Sequence, residues 1–236
     1  FRRRCLPYRL VFGENLIEIL KGLKSGDKVV VSDYIQMCLF HAIKKIISPD
    51  VSVSLWLWNP IKNNTEVIFN VKRIASLGVK CSTFDSEDAR QLNLTYLNTF
   101  YNMKVSDYLE EDADIKHDFY FLGVAKDRGD LITKIQESLA SYKSLFVVPS
   151  KPSEYITYTE NIANIKSARC LVDITQRQQH GITLRPLEAI AYKRKLITNN
   201  VSIKDYPFYS PKNVFIWGWD KLETIGDFLE SPSEDN

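Results

Sequence analysis

Arg169-Cys170-Leu171-Val172-Asp173-Ile174 runs through Thr175-Gln176-Arg177-Gln178-Gln179-His180-Gly181-Ile182 into Thr183-Leu184-Arg185-Pro186-Leu187-Glu188-Ala189-Ile190-Ala191, and Lys195-Leu196-Ile197-Thr198 follows. The first six residues are an apolar run of buried-strand type. Pro186 is tolerated only in a first helical turn, and Leu184, Leu187, Ile190 and Ala191 recur at helical spacing, so a helix opens here. Lys195 to Thr198 reads as the next strand. A strand, a loop containing Gly181, a helix and a second strand make one parallel α/β unit. Such a unit, with a carboxylate one turn into its helix, is a socket for a nucleoside diphosphate. First-turn N–H groups face the phosphates, and Glu188 is placed to accept hydrogen bonds from ribose hydroxyls.

The same alternation extends outward in both directions. Helix-like runs are expected over 14–24, 34–47, 66–77, 131–141, 160–167 and 221–229. Strand-like runs are expected over 28–32, 51–58, 79–84, 119–124, 144–149 and 214–217. Asp85 is a candidate cap for a further helix, with Asp88 as a short substitute for the glutamate of a capping box. Residues 93–114 break the rhythm and contain the acidic run Glu110-Glu111-Asp112-Ala113-Asp114, read as an interdomain linker or exposed loop. The fold class expected is α/β, with one Rossmann-like domain over 1–114 and a second over 115–236. The polar tail 231–236 is expected to fray.

The 236 residues suffice for one large domain or two small ones. The net charge of +2 is too small for a dedicated nucleic-acid binder, so no nucleic-acid partner is expected. The scattered Cys5, Cys38, Cys81 and Cys170 form no metal-binding spacing, and free thiols suit a reducing, cytoplasmic setting. No apolar run approaches the roughly 20 residues of a membrane span. The basic start Arg2-Arg3-Arg4, with Phe1, Leu6 and Tyr8 beside it, suits peripheral contact with an anionic inner-membrane surface; a solvated terminus explains it as well.

The segment "CLVDITQRQQHGITLRPLEAIAYKRKLITNN" followed by "YPFYSPKNVFI" resembles bacterial lipopolysaccharide and capsular polysaccharide biosynthesis proteins related to CgeB-like GT-B glycosyltransferases. The shared features are a strand ending in Asp-Ile, then Gly181, Thr183, Arg185 and Glu188, then Lys195 to Asn199, and Tyr206 to Asn213. The resemblance covers roughly the C-terminal half. It implies two tandem Rossmann-like domains in a GT-B-like arrangement, the first on the acceptor side and the second on the donor side. It implies a nucleotide sugar as donor substrate with no further cofactor, and a glycan or lipid-linked glycan as acceptor.

Candidate residues follow. In GT-B enzymes the residue matching Glu188 holds the donor ribose; an exposed helix carboxylate is the simpler explanation. Arg185, three residues earlier, is on the same helix face and suits bidentate contact with a diphosphate, or an ion pair with Glu188. Gly181 permits close backbone approach, Thr183 can cap the helix while touching phosphate, and His180 stands beside them. Lys126 and Arg128 follow the first strand of the second half, where GT-B donor domains place a basic residue near the leaving diphosphate; solvated turn residues are the alternative. An inverting transfer needs a base. The resemblance puts it in the first domain, and Asp33, just beyond "KVVVS", is the candidate catalytic residue; as an N-cap it would have a purely structural role. No metal site is expected, because the one Asp-x-Asp, Asp112-Ala113-Asp114, falls in the acidic run. A non-catalytic relative that binds a nucleotide sugar or glycan for a partner enzyme is the competing reading.

Overall fold

The computed structural model describes residues 12–61, 64–101 and 114–234. The acidic run up to Ala113 and the basic start at Arg2 to Arg4 lie outside them. The chain divides into two compact units, Phe1–Asn98 and Thr99–Asn236. The division falls before the boundary expected at 114, on the near side of residues 102–113.

The first unit alternates α1 (Glu14–Gly22), β1 (Lys28–Ser32), α2 (Met37–Ile46), β2 (Ser52–Leu57), α3 (Thr65–Ala75), β3 (Lys80–Thr83), α4 (Ser86–Leu92) and β4 (Thr95–Tyr96). Its four strands are all parallel and lie in chain order. β4 is a strand within the stretch that had been read as irregular. Val53, Leu55 and Leu57 alternate onto one face of the sheet, where they join Phe40, Ile43, Val71 and Ile74 in a single core. On the opposite face of β1, Val30 remains exposed. Strands added always to the same side, by crossovers of one hand, put their helices on one face. This sheet therefore contains no reversal of strand order.

The caps explain the helix starts. Asn64 accepts from the N–H groups of Glu66 and Val67, and Asp85 from those of Glu87 and Asp88. Asp88 itself is buried and accepts from the Ile61 N–H at 2.6 Å. α2 begins later than the periodicity suggests, at Met37 rather than at residue 34, because the chain first turns through Asp33 at φ 55°. Gln36, not Asp33, occupies the N-cap position.

The second unit contains β5 (His117–Leu122), α5 (Gly129–Ser138), β6 (Ser144–Val147), α6 (Tyr158–Lys166), β7 (Ala168–Asp173), α7 (Leu184–Ala191), β8 (Lys195–Thr198), β9 (Val214–Ile216) and α8 (Ile225–Glu230). The five strands are parallel in the order β6-β5-β7-β8-β9. Alternate side chains feed two cores. Phe119, Phe121, Val172 and Phe215 meet Ile132, Ile135 and Leu139 of α5 and Phe228 of α8 on one face. Tyr120, Leu171 and Leu196 meet Ile165 of α6, Ala189 of α7 and Tyr192 just beyond it on the other. The order reverses between β5 and β7, so their following loops leave toward opposite faces. That divergence opens a crevice at the carboxyl ends of these two strands, where doubly wound sheets bind ligands.

The tail expected to fray is held as far as Glu234. The Asn213 side-chain amide pairs with the Glu234 backbone in both directions at 2.9 Å, and Lys212 Nζ lies 2.7 Å from the Glu234 carboxylate.

Candidate functional site

Asp173 ends β7 and is 5% exposed. Its carboxylate accepts from the hydroxyls of Thr183 at 2.7 Å and Thr198 at 3.0 Å. Burial pushes its pKa up, and the two hydroxyls, Arg185 and Arg128 pull the other way. Thr183 has two roles. Besides donating to Asp173, it caps α7 by accepting from the Arg185 N–H at 3.1 Å.

That cap limits the anion socket. The first-turn N–H of Arg185 is already bonded, and Pro186 has none. The helix N-terminus therefore offers fewer donors to phosphates than the sequence pattern led us to expect, a correction that shifts the burden to side chains.

Two arginines take it up. Arg128 crosses the crevice: its Nε and Nη2 reach the Val124 carbonyl at 3.2 Å, and its Nη1 donates to the Ile174 carbonyl beyond β7. Its guanidinium also lies 5.9 Å from the Phe121 ring centre. It is thus no solvated turn residue, and burial lowers its pKa against the opposing pull of Asp173. A Cβ built on Gly123 would meet this guanidinium at 2.8 Å, so the small residue there keeps the approach open. Arg185 comes from the other side. Its Nη2 is 3.5 Å from the Leu122 carbonyl, and its guanidinium is 5.5 Å from the Tyr120 ring centre. Both arginines therefore converge on the carboxyl end of β5. Lys126, by contrast, is exposed, with φ 46°.

Glu188 is only 2% exposed. One carboxylate oxygen is 2.8 Å from Arg185 Nη1, and the other accepts from the Asn161 amide at 3.2 Å. Asn161 in turn accepts from the Tyr120 hydroxyl at 3.0 Å. Burial raises the Glu188 pKa, and the Arg185 charge opposes that rise. The exposed helix carboxylate envisaged as the simpler alternative is corrected: Glu188 is packed between α6 and α7. The intrahelical ion pair is present, and the carboxylate is not laid open in a cleft.

His180 is exposed and Gly181 buried. Asn200 holds the carbonyls of both, at 3.3 and 3.4 Å, and Asn199 fastens the same loop through the Thr175 N–H at 2.7 Å. A cavity of about 150 Å³ lies elsewhere. It sits on the far side of α7, near the amino ends of β8 and β9, lined by Pro186, Ala189, Ile190, Leu196, Phe208 and Glu234 among others. The expected cleft lined jointly by Gly181, Thr183, Arg185 and Glu188 does not coincide with it.

In the first unit, Asp33 stands at the carboxyl edge of β1. Its carboxylate accepts from the Trp58 N–H at 3.0 Å, the Asn59 N–H at 3.3 Å and the Asn59 side-chain amide. It thereby locks the turn after β2. The N-cap alternative is corrected, since Asp33 caps no helix.

The sequence motif contains Asp173 and Asn199 without giving them a role, and Asn161, Tyr120 and Asn200 are not among the candidates. A carboxylate closing an apolar strand was a readable signal for Asp173, and consecutive amides after β8 were one for Asn199 and Asn200. Asn161 offered none. Among the described residues, no group of three or more His, Cys, Asp and Glu side chains could hold a metal ion, and no helix is long and apolar enough to cross a membrane.

The fold is a glycosyltransferase-like α/β fold. No protein-family model matches the chain, and no curated protein does. Solved structures do. An α-glucosyltransferase in complex with UDP and a 13-mer DNA containing a central A:G mismatch aligns with TM-score 0.57 and 10% identity, over 92% of this chain and 72% of that one. The structure of accessory secretory proteins 1, 2 and 3 from Streptococcus pneumoniae aligns with TM-score 0.52 and 12% identity, over 93% of this chain. This chain spans about half the length of that relative, 49%.

Proposed function

We propose that the chain binds a nucleotide sugar at the carboxyl edge of its second sheet and transfers the sugar to a surface-polysaccharide or lipopolysaccharide acceptor. The convergence of Arg128 and Arg185 on the end of β5, at the reversal of strand order, carries this reading. Two guanidinium groups in partly buried surroundings supply the positive potential that a leaving diphosphate needs, and a metal ion is not required for it. The solved complex of an α-glucosyltransferase with UDP supports a nucleotide at this kind of fold. Glu188 then acts through Arg185, holding its fork in place, and His180 stands at the rim for sugar or phosphate. Asp33 is the base proposed for the acceptor hydroxyl. The acceptor is a glycan or lipid-linked glycan met on the cytoplasmic face of the inner membrane.

One observation favours a second reading, a non-catalytic binder of nucleotide sugar or glycan that serves a partner enzyme. The Asp33 carboxylate already accepts three hydrogen bonds, which is a structural use of a group that catalysis would need free.

Calorimetric titration with UDP and the other common nucleoside diphosphates, with and without chelator, tests the binding. The expected result is metal-independent binding that Arg185→Lys weakens about tenfold through loss of the planar fork. Failure of every nucleoside diphosphate to bind would overturn the reading. Donor turnover in Asp33→Asn then separates the two versions: suppressed turnover supports the transferase, and a wild type that binds but turns nothing over supports the binder.

A further inference from the structure

β9 ends at Ile216, and the chain turns at once through Trp217-Gly218-Trp219-Asp220. Trp219 is 63% exposed. Single exposed apolar residues are ordinary on a protein surface, so exposure alone says nothing. What distinguishes Trp219 is the turn that carries it, pinned through its backbone, and where that turn lies. Its N–H bonds to the Ile216 carbonyl at 3.1 Å, and the Asp220 N–H reaches the same oxygen at 2.9 Å. The Asp220 carboxylate returns to the Ile216 N–H at 2.6 Å. Gly218 takes φ +81°, a conformation that side-chain-bearing residues rarely adopt. The Lys204 ammonium sits 3.8 Å from the Trp219 ring centre and covers one face of the indole. Lys204 belongs to the 3-10 turn Val201–Asp205, capped by Asn200, whose amide also holds the loop at His180 and Gly181. The turn beneath the ring is thus pinned through its backbone, Lys204 backs one face of the indole, and the residue stays 63% exposed.

Its position matters equally. Because every strand of this sheet is parallel, Trp219 shares the carboxyl edge with Asp173, Arg128 and Arg185. β9 is three strands from β5, where the two arginines meet, roughly 14 Å at ordinary strand spacing. That separation is on the scale of about two to three sugar rings.

We propose that the open face of Trp219 is a platform for a carbohydrate ring, with Lys204 as its rear support. The C–H bonds on one face of a pyranose carry slight positive charge and pack on the negative face of an aromatic ring, while the sugar hydroxyls stay in water. An exposed indole on a pinned turn suits such a ligand, because the backbone that carries it needs no ordering on binding. The proposal deepens the nucleotide-sugar reading of the second unit by assigning a place in that unit where a sugar ring packs, and it rests on that reading.

The test uses the full chain on an array of mono- to hexasaccharides, neutral and acidic, with wild type, Trp219→Ala and Trp219→Phe compared, and thermal melting to verify that each variant is folded. Glycan binding by the wild type, kept within about threefold by Trp219→Phe and reduced at least about tenfold by Trp219→Ala, is the expected outcome. Absence of glycan binding by the wild type, or equal binding by Trp219→Ala, would overturn the platform. UDP calorimetry on the same three proteins keeps the two readings apart. UDP affinity unchanged in Trp219→Ala while glycan binding falls supports the platform. If glycan binding depends on Trp219 but no nucleoside diphosphate binds, the platform stands and the nucleotide-sugar reading fails. Loss of UDP binding alone in Trp219→Ala would make the ring a base-stacking residue and overturn the proposal.

Discussion

Arg185 and Glu188 form a buried pair whose side chains are 10% and 3% exposed, and Asn161 contacts both. Glu188 bonds Arg185 with one carboxylate oxygen and Asn161 with the other. Removing one partner of a buried pair leaves an uncompensated charge, which typically costs about 3–5 kcal/mol. Glu188→Ala should therefore lower the free energy of unfolding by about 3 kcal/mol, read from urea denaturation. Glu188→Gln should cost less, since the amide oxygen still accepts a hydrogen bond. A loss under about 0.5 kcal/mol in Glu188→Ala would show that Arg185 finds water or another acceptor without it.

At the scale of elements, α7 is set by its first turn. Thr183 caps the helix and ties it to the end of β7 through Asp173, so one hydroxyl positions both the helix and the crevice. Thr183→Ala removes both bonds and should cost about 2 kcal/mol, the upper part of the range for a lost N-cap. Thr183→Ser should restore most of it. Chemical denaturation of the two variants checks this, and equal melting of Thr183→Ala and wild type would show that the cap is dispensable. The same element explains a limit of pattern reading. Helical spacing and Pro186 made α7 legible and Thr183 was readable as its cap, but the bond from Thr183 to Asp173 joins residues that only the fold brings together. At Asp33, likewise, a good capping residue before an apolar run looked like a helix start. The carboxylate instead turns back to Trp58 and Asn59, partners 25 and 26 residues away.

For the whole molecule, the buried Asp173 gives a pH signature. Its folded-state pKa lies above the unfolded value of about 3.9, so the folded chain holds that proton more tightly. The contribution of Asp173 therefore falls as pH rises from the unfolded pKa through the raised folded one. The full cost of its buried charge is present above that window. Exposed carboxylates with lowered pKa, such as Glu160 and Glu230, act in the opposite direction, so the total profile does not isolate Asp173. The difference between Asp173→Asn and wild type does. Unfolding measured between pH 4 and 8 should show the variant gaining stability relative to wild type as pH rises. A difference that stays flat would mean Asp173 is ionised throughout.

What the sequence by itself determined is the alternation of strands and helices, because side-chain periodicity and local turn chemistry act over a few residues. Strands 28–32 and 195–198 came out with the observed ends, and Asp85 was legible as a cap. The clustering of Gly181, Thr183, Arg185 and Glu188 around one helix start was legible for the same reason. Only the tertiary structure decided the strand order, because pairing joins segments far apart in the chain and periodicity carries no record of which strand lies beside which. The strand order alone places a reversal between β5 and β7 and none in the first sheet. The structure alone also decided how the charges pair, since Arg128 with the Ile174 carbonyl and Glu188 with Asn161 are meetings created by packing. These meetings follow from burial, because a charged group withdrawn from water must find polar partners within the protein.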